Sequence, residues 1–178
     1  MGSGLAEVAA RAGYQVVLRS RSADTAAASV KGVSKNLAKQ VEKGKLSADD
    51  AAAIEARITP TADIKALADC DLIIESVVED MATKLALFKE LDAAVKPSAI
   101  IATNTSTLPV VEMAVATNRP GQVCGIHFFN PAPMMTLVEV VEPVTASPET
   151  LEVATKFAIA CGKDAVRVKD RAGFVVNA

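Results

Sequence analysis

Apolar residues are distributed along this chain in two regular patterns. Short apolar runs predict β-strands, because strands buried on both faces of a sheet are almost continuously apolar. Longer stretches with apolar residues three and four positions apart predict amphipathic helices between them. The predicted strands cover 15–18, 71–74, 99–102, 123–126, 137–141 and 165–168, and the predicted helices cover 25–43, 82–95, 110–116 and 148–160, with a short helix after Ser47. This alternation predicts a Rossmann-like α/β fold with a doubly wound, mostly parallel sheet.

The two ends of the chain depart from this pattern. A doubly wound domain begins with a strand, whereas this sequence begins with the helical stretch Met1–Ala10 and stops in the apolar run 173–178. We expect Gly2 to be the last glycine of a G-x-G-x-x-G turn whose first strand and first two glycines are absent. The alternative is that the first residues are a flexible tail. The sequence therefore predicts one dinucleotide-binding domain, residues 1–178, that is truncated at both ends.

Composition narrows the class of protein. The chain has 178 residues, 51% of them hydrophobic, and a net charge of −2, which does not suggest binding to nucleic acid or to an anionic membrane. No apolar run reaches the length of a membrane span. The cysteines Cys70, Cys124 and Cys161 are far apart, without the spacing of a metal site, and are typical of reduced thiols. We expect a cytoplasmic protein with no metal.

The candidate chemistry centres on one histidine and one glutamate. His127, the single histidine, ends one apolar strand, and Glu139 is the one carboxylate within the strand 137–141 that returns after a turn. A histidine held by a carboxylate is a general acid or base near neutral pH. Taken alone, each residue has a structural interpretation, His127 as a core residue and Glu139 as a strand edge. The pair predicts proton transfer.

Five short segments occur in an order and spacing that are specific when taken together. They are Met1–Ala6, Ile74–Asp80, Thr103–Leu108, His127–Pro131 and Gly173–Asn177. Through these segments the chain resembles the NAD-binding domain of the 3-hydroxyacyl-CoA dehydrogenase family, particularly the bacterial 3-hydroxybutyryl-CoA dehydrogenases. The resemblance implies an oxidoreductase of fatty acid metabolism that interconverts (S)-3-hydroxyacyl-CoA and 3-oxoacyl-CoA. It also implies a C-terminal helical domain, absent here, through which the full-length protein forms a homodimer.

The resemblance assigns roles to four catalytic residues. His127 would exchange the hydroxyl proton of the substrate while hydride moves to or from the nicotinamide, and Glu139 would orient the imidazole. Ser106 matches the family serine that contacts the substrate oxygen, and Asn177 matches the asparagine that completes the site. Ser106 has an alternative interpretation as a helix N-cap. The chain departs from the family at Ala172, where a proline is usual.

Further positions match family residues that meet the cofactor or the coenzyme A. Glu79, Lys84 and Asn130 match positions around the nicotinamide ribose, and Lys43 matches a lysine that meets the coenzyme A phosphates. Structural alternatives exist, since Glu79 could be an ordinary acid at a helix start and both lysines could be solvated surface charges.

The end of the first predicted strand points to the form of the cofactor. NAD-selective Rossmann domains end their second strand, the one that this strand would match, in Asp or Glu, which binds the ribose 2′-hydroxyl. This chain has Ser20 at that position, between Arg19 and Arg21. Arginine binds a phosphate through its planar fork, so we expect NADP(H) to be preferred over NAD(H). The alternative is that both arginines are exposed strand-end charges.

Two other functions are compatible with the sequence. A relative within the same fold could use His127 and Glu139 on a sugar acid or another 3-hydroxy acid. Alternatively, a chain without its first strand and its helical domain could be a non-catalytic remnant or a fragment that binds a partner.

Overall fold

A computed structural model describes residues 1–178. The chain forms two compact units, each with its own sheet. The first unit consists of Met1–Ala66 and Pro131–Met134, and the second consists of Leu67–Asn130 and Met135–Ala178.

The first unit contains three helices and a two-stranded parallel sheet. Its elements are α1 (Gly2–Arg11), β1 (Val16–Arg19), α2 (Ala23–Glu42), α3 (Ala48–Ala56) and β2 (Ile58–Thr61). Strand β2 was not predicted. Pro60 interrupts its apolar pattern, and a proline, which cannot donate to a ladder, is confined to edge strands and bulges. Parallel pairing aligns Val16 with Ile58 and Arg19 with Thr61.

The core of the first unit is small and aliphatic. Leu18 and Ile58 on the two strands pack with residues of the three helices, which are Ala6, Ala10, Val33, Leu37 and Ile54. Glu7 is also buried in this unit, where its carboxylate accepts hydrogen bonds from Asn36, Gln40 and Arg11. A buried carboxylate is tolerated when it has such partners.

The second unit is built on a five-stranded sheet of order β3-β4-β5-β6-β7. Its strands are β3 (Leu72–Glu75), β4 (Ile100–Thr103), β5 (Val123–Phe128), β6 (Leu137–Glu142) and β7 (Asp164–Lys169). Its helices are α4 (Met81–Ala94), α5 (Val110–Val115) and α6 (Pro148–Ala160), and short 3₁₀ turns lie at Ile64–Leu67 and Pro120–Gln122. The predicted α/β class and mostly parallel sheet are confirmed.

One strand pair of the second unit is antiparallel. Strands β5 and β6 run in opposite directions, whereas β3–β4, β4–β5 and β6–β7 are parallel. No helix lies between β5 and β6, and a connection without a crossover helix favours an antiparallel return. This exception places His127 directly opposite Glu139.

Helix starts in the second unit are fixed by polar side chains. Asp80 accepts the backbone N–H of Thr83 at the start of α4, and Ser147 accepts that of Thr150 at the start of α6. The carboxylate of Asp170 accepts the N–H groups of Val110 and Val111 at the start of α5. None of the helices combines the length and apolar character needed to cross a membrane.

Candidate active site

His127 and Glu139 form a buried pair. Nδ1 of His127 lies 2.8 Å from Oε2 of Glu139, and the two residues are 3% and 1% exposed. The imidazole also lies against two aromatic rings, with centroid distances of 4.5 Å to Phe129 and 5.6 Å to Phe174. A carboxylate bound to Nδ1 fixes the orientation of the ring and favours the tautomer with a proton on Nδ1. The other ring nitrogen, Nε2, makes no hydrogen bond within the protein.

The second oxygen of Glu139 binds the C-terminal segment of the chain. Oε1 accepts the backbone N–H groups of Val175 and Val176, each at 3.1 Å. Phe174, which precedes them, has a φ of 56° and a buried ring against His127. Asn177 comes next and is exposed, with its backbone N–H bonded to the carbonyl of Gly173. Glu139 therefore connects His127 with the segment that carries Asn177.

Ser106 lies in the loop between β4 and α5. Its backbone N–H donates to Oε1 of Glu79 at 2.8 Å, and Oε1 also accepts the hydroxyl of Thr105 and the N–H of Thr107. The N-cap interpretation of Ser106 is wrong, because α5 begins at Val110 with Pro109 at its N-cap. Ser106 is half-buried, and no hydrogen bond joins it directly to the imidazole.

The electrostatics of Glu79 reflect this role in the loop. Burial raises the pKa of this carboxyl, but the hydrogen bonds from Thr105 and Ser106, the charge of Lys84 and the N–H of Thr107 together outweigh it. The net result is a pKa below the usual value, so Glu79 is ionised at neutral pH. Glu79 thus stabilises the loop that contains Ser106.

Lys84 is a buried residue, not a solvated one. It is 1% exposed, and its Nζ lies 2.8 Å from Oε1 of Glu75 and 3.4 Å from Oε2 of Glu79. Glu75, at the end of β3, also accepts the hydroxyl of Thr103 at 2.7 Å and the N–H of Val77 at 2.6 Å. Sequence reasoning assigned no role to Glu75. The signal for it was a lone carboxylate in the apolar run Leu72–Glu75.

Asn104 connects the Ser106 loop with the strand of His127. Its Oδ1 accepts the backbone N–H of Phe128 at 2.8 Å. The four predicted catalytic residues, Ser106, His127, Glu139 and Asn177, all lie in the second unit. Asn104 connects the loop of Ser106 with the strand of His127, and Glu139 connects His127 with the segment that carries Asn177. Asn130, two residues after Phe128, is exposed.

The remaining predicted binding residues lie in the first unit. Gly2 is the first residue of α1, with nothing within 4 Å of where a Cβ would be, and Lys43 is exposed at the C-terminal end of α2. Arg19 is half-buried, and its Nε is buried without a hydrogen-bond partner. The Ser20 hydroxyl donates to Oγ1 of Thr25, so its proton is not available to a ligand.

Both the sequence and the fold of this chain are similar to those of known proteins. Residues 1–171 match the model of the family described as 3-hydroxyacyl-CoA dehydrogenase, NAD binding domain. This chain belongs to that family.

Individual members of the family are similar over nearly the whole chain. The probable 3-hydroxybutyryl-CoA dehydrogenase of Deinococcus radiodurans is 41% identical over 177 residues, which are 99% of this chain and 63% of the relative. Among solved structures, M. tuberculosis FadB2 has a TM-score of 0.96 at 41% identity, covering 99% of this chain and 63% of its own. The (S)-3-hydroxybutyryl-CoA dehydrogenase PaaH1 from Ralstonia eutropha has a TM-score of 0.97 at 34% identity, covering 99% and 62%. The chain thus spans less than two thirds of these relatives.

Proposed function

We propose that this chain is the cofactor-binding and proton-transferring domain of a dehydrogenase that interconverts (S)-3-hydroxyacyl-CoA and 3-oxoacyl-CoA, with 3-hydroxybutyryl-CoA as the substrate. One observation carries the proposal. The buried His127–Glu139 pair leaves Nε2 of the imidazole without a protein partner, which is the arrangement that a general acid or base requires.

The proposed mechanism follows from the hydrogen bonds of the pair. Nδ1 of His127 is held by Glu139, so Nε2 takes the hydroxyl proton when an alcohol is oxidised and returns it when a ketone is reduced. Glu139 stabilises the imidazolium that forms. Ser106, fixed by Glu79 through its backbone, would donate its hydroxyl to the substrate oxygen, and Asn177 would complete that contact. A bound nicotinamide would supply the acceptor or donor of the hydride.

The first unit supports NADP(H) as the preferred form of the cofactor. The buried Nε of Arg19 has no partner within the protein, which fits a site that receives an anionic group. Arg21, two residues further on, is exposed and free of side-chain hydrogen bonds. We propose that these arginines, rather than the Ser20 hydroxyl, bind the 2′-phosphate.

The proposal also includes the substrate class, the oligomeric state and the cellular location of the full-length protein. Family resemblance supports an acyl-CoA substrate and a homodimer formed through a C-terminal helical domain. The three cysteines are free thiols, which supports a cytoplasmic location.

Reduction of acetoacetyl-CoA tests the proposal. The full-length protein would be assayed with NADPH and NADH, with free acetoacetate as the alternative substrate and His127→Gln as the variant without the acid–base residue. We expect reduction of the CoA ester and a fall in kcat of about 10²- to 10⁴-fold in the variant, the usual contribution of general acid–base catalysis. Equal rates for the ester and the free acid, or a fully active variant, would contradict the proposal.

A further inference from the structure

Asn104 is a buried polar residue that the proposed mechanism does not use. It follows β4 directly and is 9% exposed. Its backbone N–H donates to the carbonyl of Glu75, and its Oδ1 accepts the N–H of Phe128, each at 2.8 Å. Asn104 thus ties β3 to the strand that carries His127.

The other half of the same side chain is unpaired. A backbone N–H can only donate, so the carboxamide atom that faces Phe128 must be the oxygen, and the NH₂ group must lie on the other side. That Nδ2 donates to no group of the protein. Nδ2 is not fully buried, unlike Nε of Arg19, so this donor of an otherwise buried residue is open to an acceptor on a bound molecule.

The position of Asn104 indicates which molecule that is. Ser106 is two residues further along the same loop, and Phe128 is the neighbour of His127. A molecule that contacts both Ser106 and His127 lies within reach of the residue that links them. The NH₂ group of Asn104 can donate to a neutral carbonyl or hydroxyl oxygen of such a molecule.

We propose that Asn104 has two functions in the dehydrogenase site, an inference that rests on the proposed function. Oδ1 positions His127 by fixing the backbone of the next residue. Nδ2 donates a hydrogen bond to a neutral oxygen of the molecule bound beside His127. Such oxygens occur on the acyl substrate and on the nicotinamide end of the cofactor, and the experiment distinguishes the two.

Two substitutions separate the functions. Asn104→Asp keeps an oxygen that accepts the N–H of Phe128 but replaces the NH₂ group with a second oxygen, whereas Asn104→Ala removes both. Gln122→Glu is the matched control, because it makes the same change from an amide to a carboxylate. Gln122 lies directly before β5, and its Nε2 donates to the carbonyls of Pro97 and Ala99, which precede β4. Each variant of the full-length protein is measured for Tm, for the Kd of NADH and NADPH, and for KM and kcat with acetoacetyl-CoA.

The expected result is a loss of affinity in Asn104→Asp of about tenfold, equivalent to one hydrogen bond. A rise in the Kd of both cofactors identifies the cofactor as the source of the oxygen, and a rise in KM alone identifies the substrate. Asn104→Ala should also lower kcat, because His127 is no longer positioned. The control should lower Tm and leave Kd and KM unchanged.

Two outcomes would overturn the inference. Wild-type Kd and KM in Asn104→Asp would mean that Nδ2 contacts no ligand, and if that variant fails to fold, wild-type affinities in Asn104→Ala would mean the same. Both comparisons are made with a wild-type protein that reduces acetoacetyl-CoA. A wild-type protein that reduces no acyl-CoA would instead contradict the proposed function.

Discussion

His127 and Glu139 face each other across β5 and β6, with Nδ1 of the histidine 2.8 Å from Oε2 of the glutamate. The strand register decides which side chain meets the imidazole, because a shift of one residue would turn Glu139 to the other face of the sheet. Glu139 also binds the backbone of Val175 and Val176 through Oε1. One carboxylate therefore orients the proposed acid–base residue and anchors the segment that carries Asn177.

Replacing Glu139 with glutamine should impair both roles. The glutamine NH₂ would face either the Nδ1–H of His127 or the two backbone N–H groups, so one set of donors loses its acceptor. We expect kcat for acetoacetyl-CoA to fall about 10²-fold or more, as when an orienting carboxylate is lost elsewhere. Glu142→Gln, on the same strand but paired with the partly exposed Arg167 and Lys169, should leave kcat unchanged. Similar kcat values in the two variants would contradict the assignment of Glu139 as the residue that orients His127.

The His127–Glu139 pair was accessible from sequence for a physical reason. His127 follows the apolar run 123–126, Glu139 is the one carboxylate within 137–141, and a turn without a helix joins the two strands, so antiparallel pairing brings the residues close. The interactions of Lys84 were not accessible. Its partner Glu75 is the last residue of β3. Whether a lysine on α4 is exposed to solvent or buried depends on tertiary packing, which the spacing of apolar residues along the chain does not specify.

Asp170 and Asn104 show the same limit. Asp170 holds the start of α5 from the end of β7, 59 residues away from Val111 along the chain. Asn104 holds Phe128 across 24 residues. Local patterns predict the elements that such residues join, but the long-range hydrogen bonds depend on which strands become neighbours.

Lys84→Met should destabilise the fold strongly. The substitution leaves Glu75 as an unpaired charge in the interior, which costs about 3–5 kcal/mol in the free energy of unfolding. Lys96→Met is the matched control, because its partner Asp71 is 95% exposed and such surface pairs contribute about 1 kcal/mol or less. Urea unfolding measures both. Adding Glu75→Gln to Lys84→Met should restore part of the loss, and equal costs for the two methionine variants would contradict the argument.

Gly125→Ala should also destabilise the strand of His127. A Cβ at this position would lie 2.6 Å from Cβ of Val141 and 3.3 Å from Cγ2 of Val110, so strand β6 would have to move. Overpacking of this kind costs about 1–3 kcal/mol. Gly121→Ala is the control, because its Cβ would meet only the carbonyl of Thr145 at 3.7 Å. Equal Tm values for the two variants would show that the strand pair tolerates the added methyl group.

The lowered pKa of Glu79 predicts a pH-dependent contribution to stability. Its pKa lies below the usual 4.5 in the folded protein, so the ionised carboxyl stabilises the fold above that pH and the contribution is lost as the pH falls through the lowered pKa. The free energy of unfolding of Glu79→Gln should therefore be lower than that of the wild type at about pH 7, and the difference should narrow as the pH falls below 4.5. Glu90→Gln, an exposed residue of α4, should show no such trend. A difference that does not change with pH would exclude ionisation of Glu79 as its source.

The unpaired Nε of Arg19 makes cofactor preference testable residue by residue. If the guanidinium binds the 2′-phosphate, Arg19→Ala should raise KM for NADPH by about 10- to 100-fold and change KM for NADH little, because a charge-assisted contact to phosphate is lost. Ser20→Asp should shift preference toward NADH, since a carboxylate there accepts the ribose 2′-hydroxyl and repels a phosphate. Arg11→Ala, which removes an arginine bonded to Glu7 and Gln40, controls for the change in charge. Equal effects of Arg19→Ala on both cofactors would place this arginine outside the phosphate site.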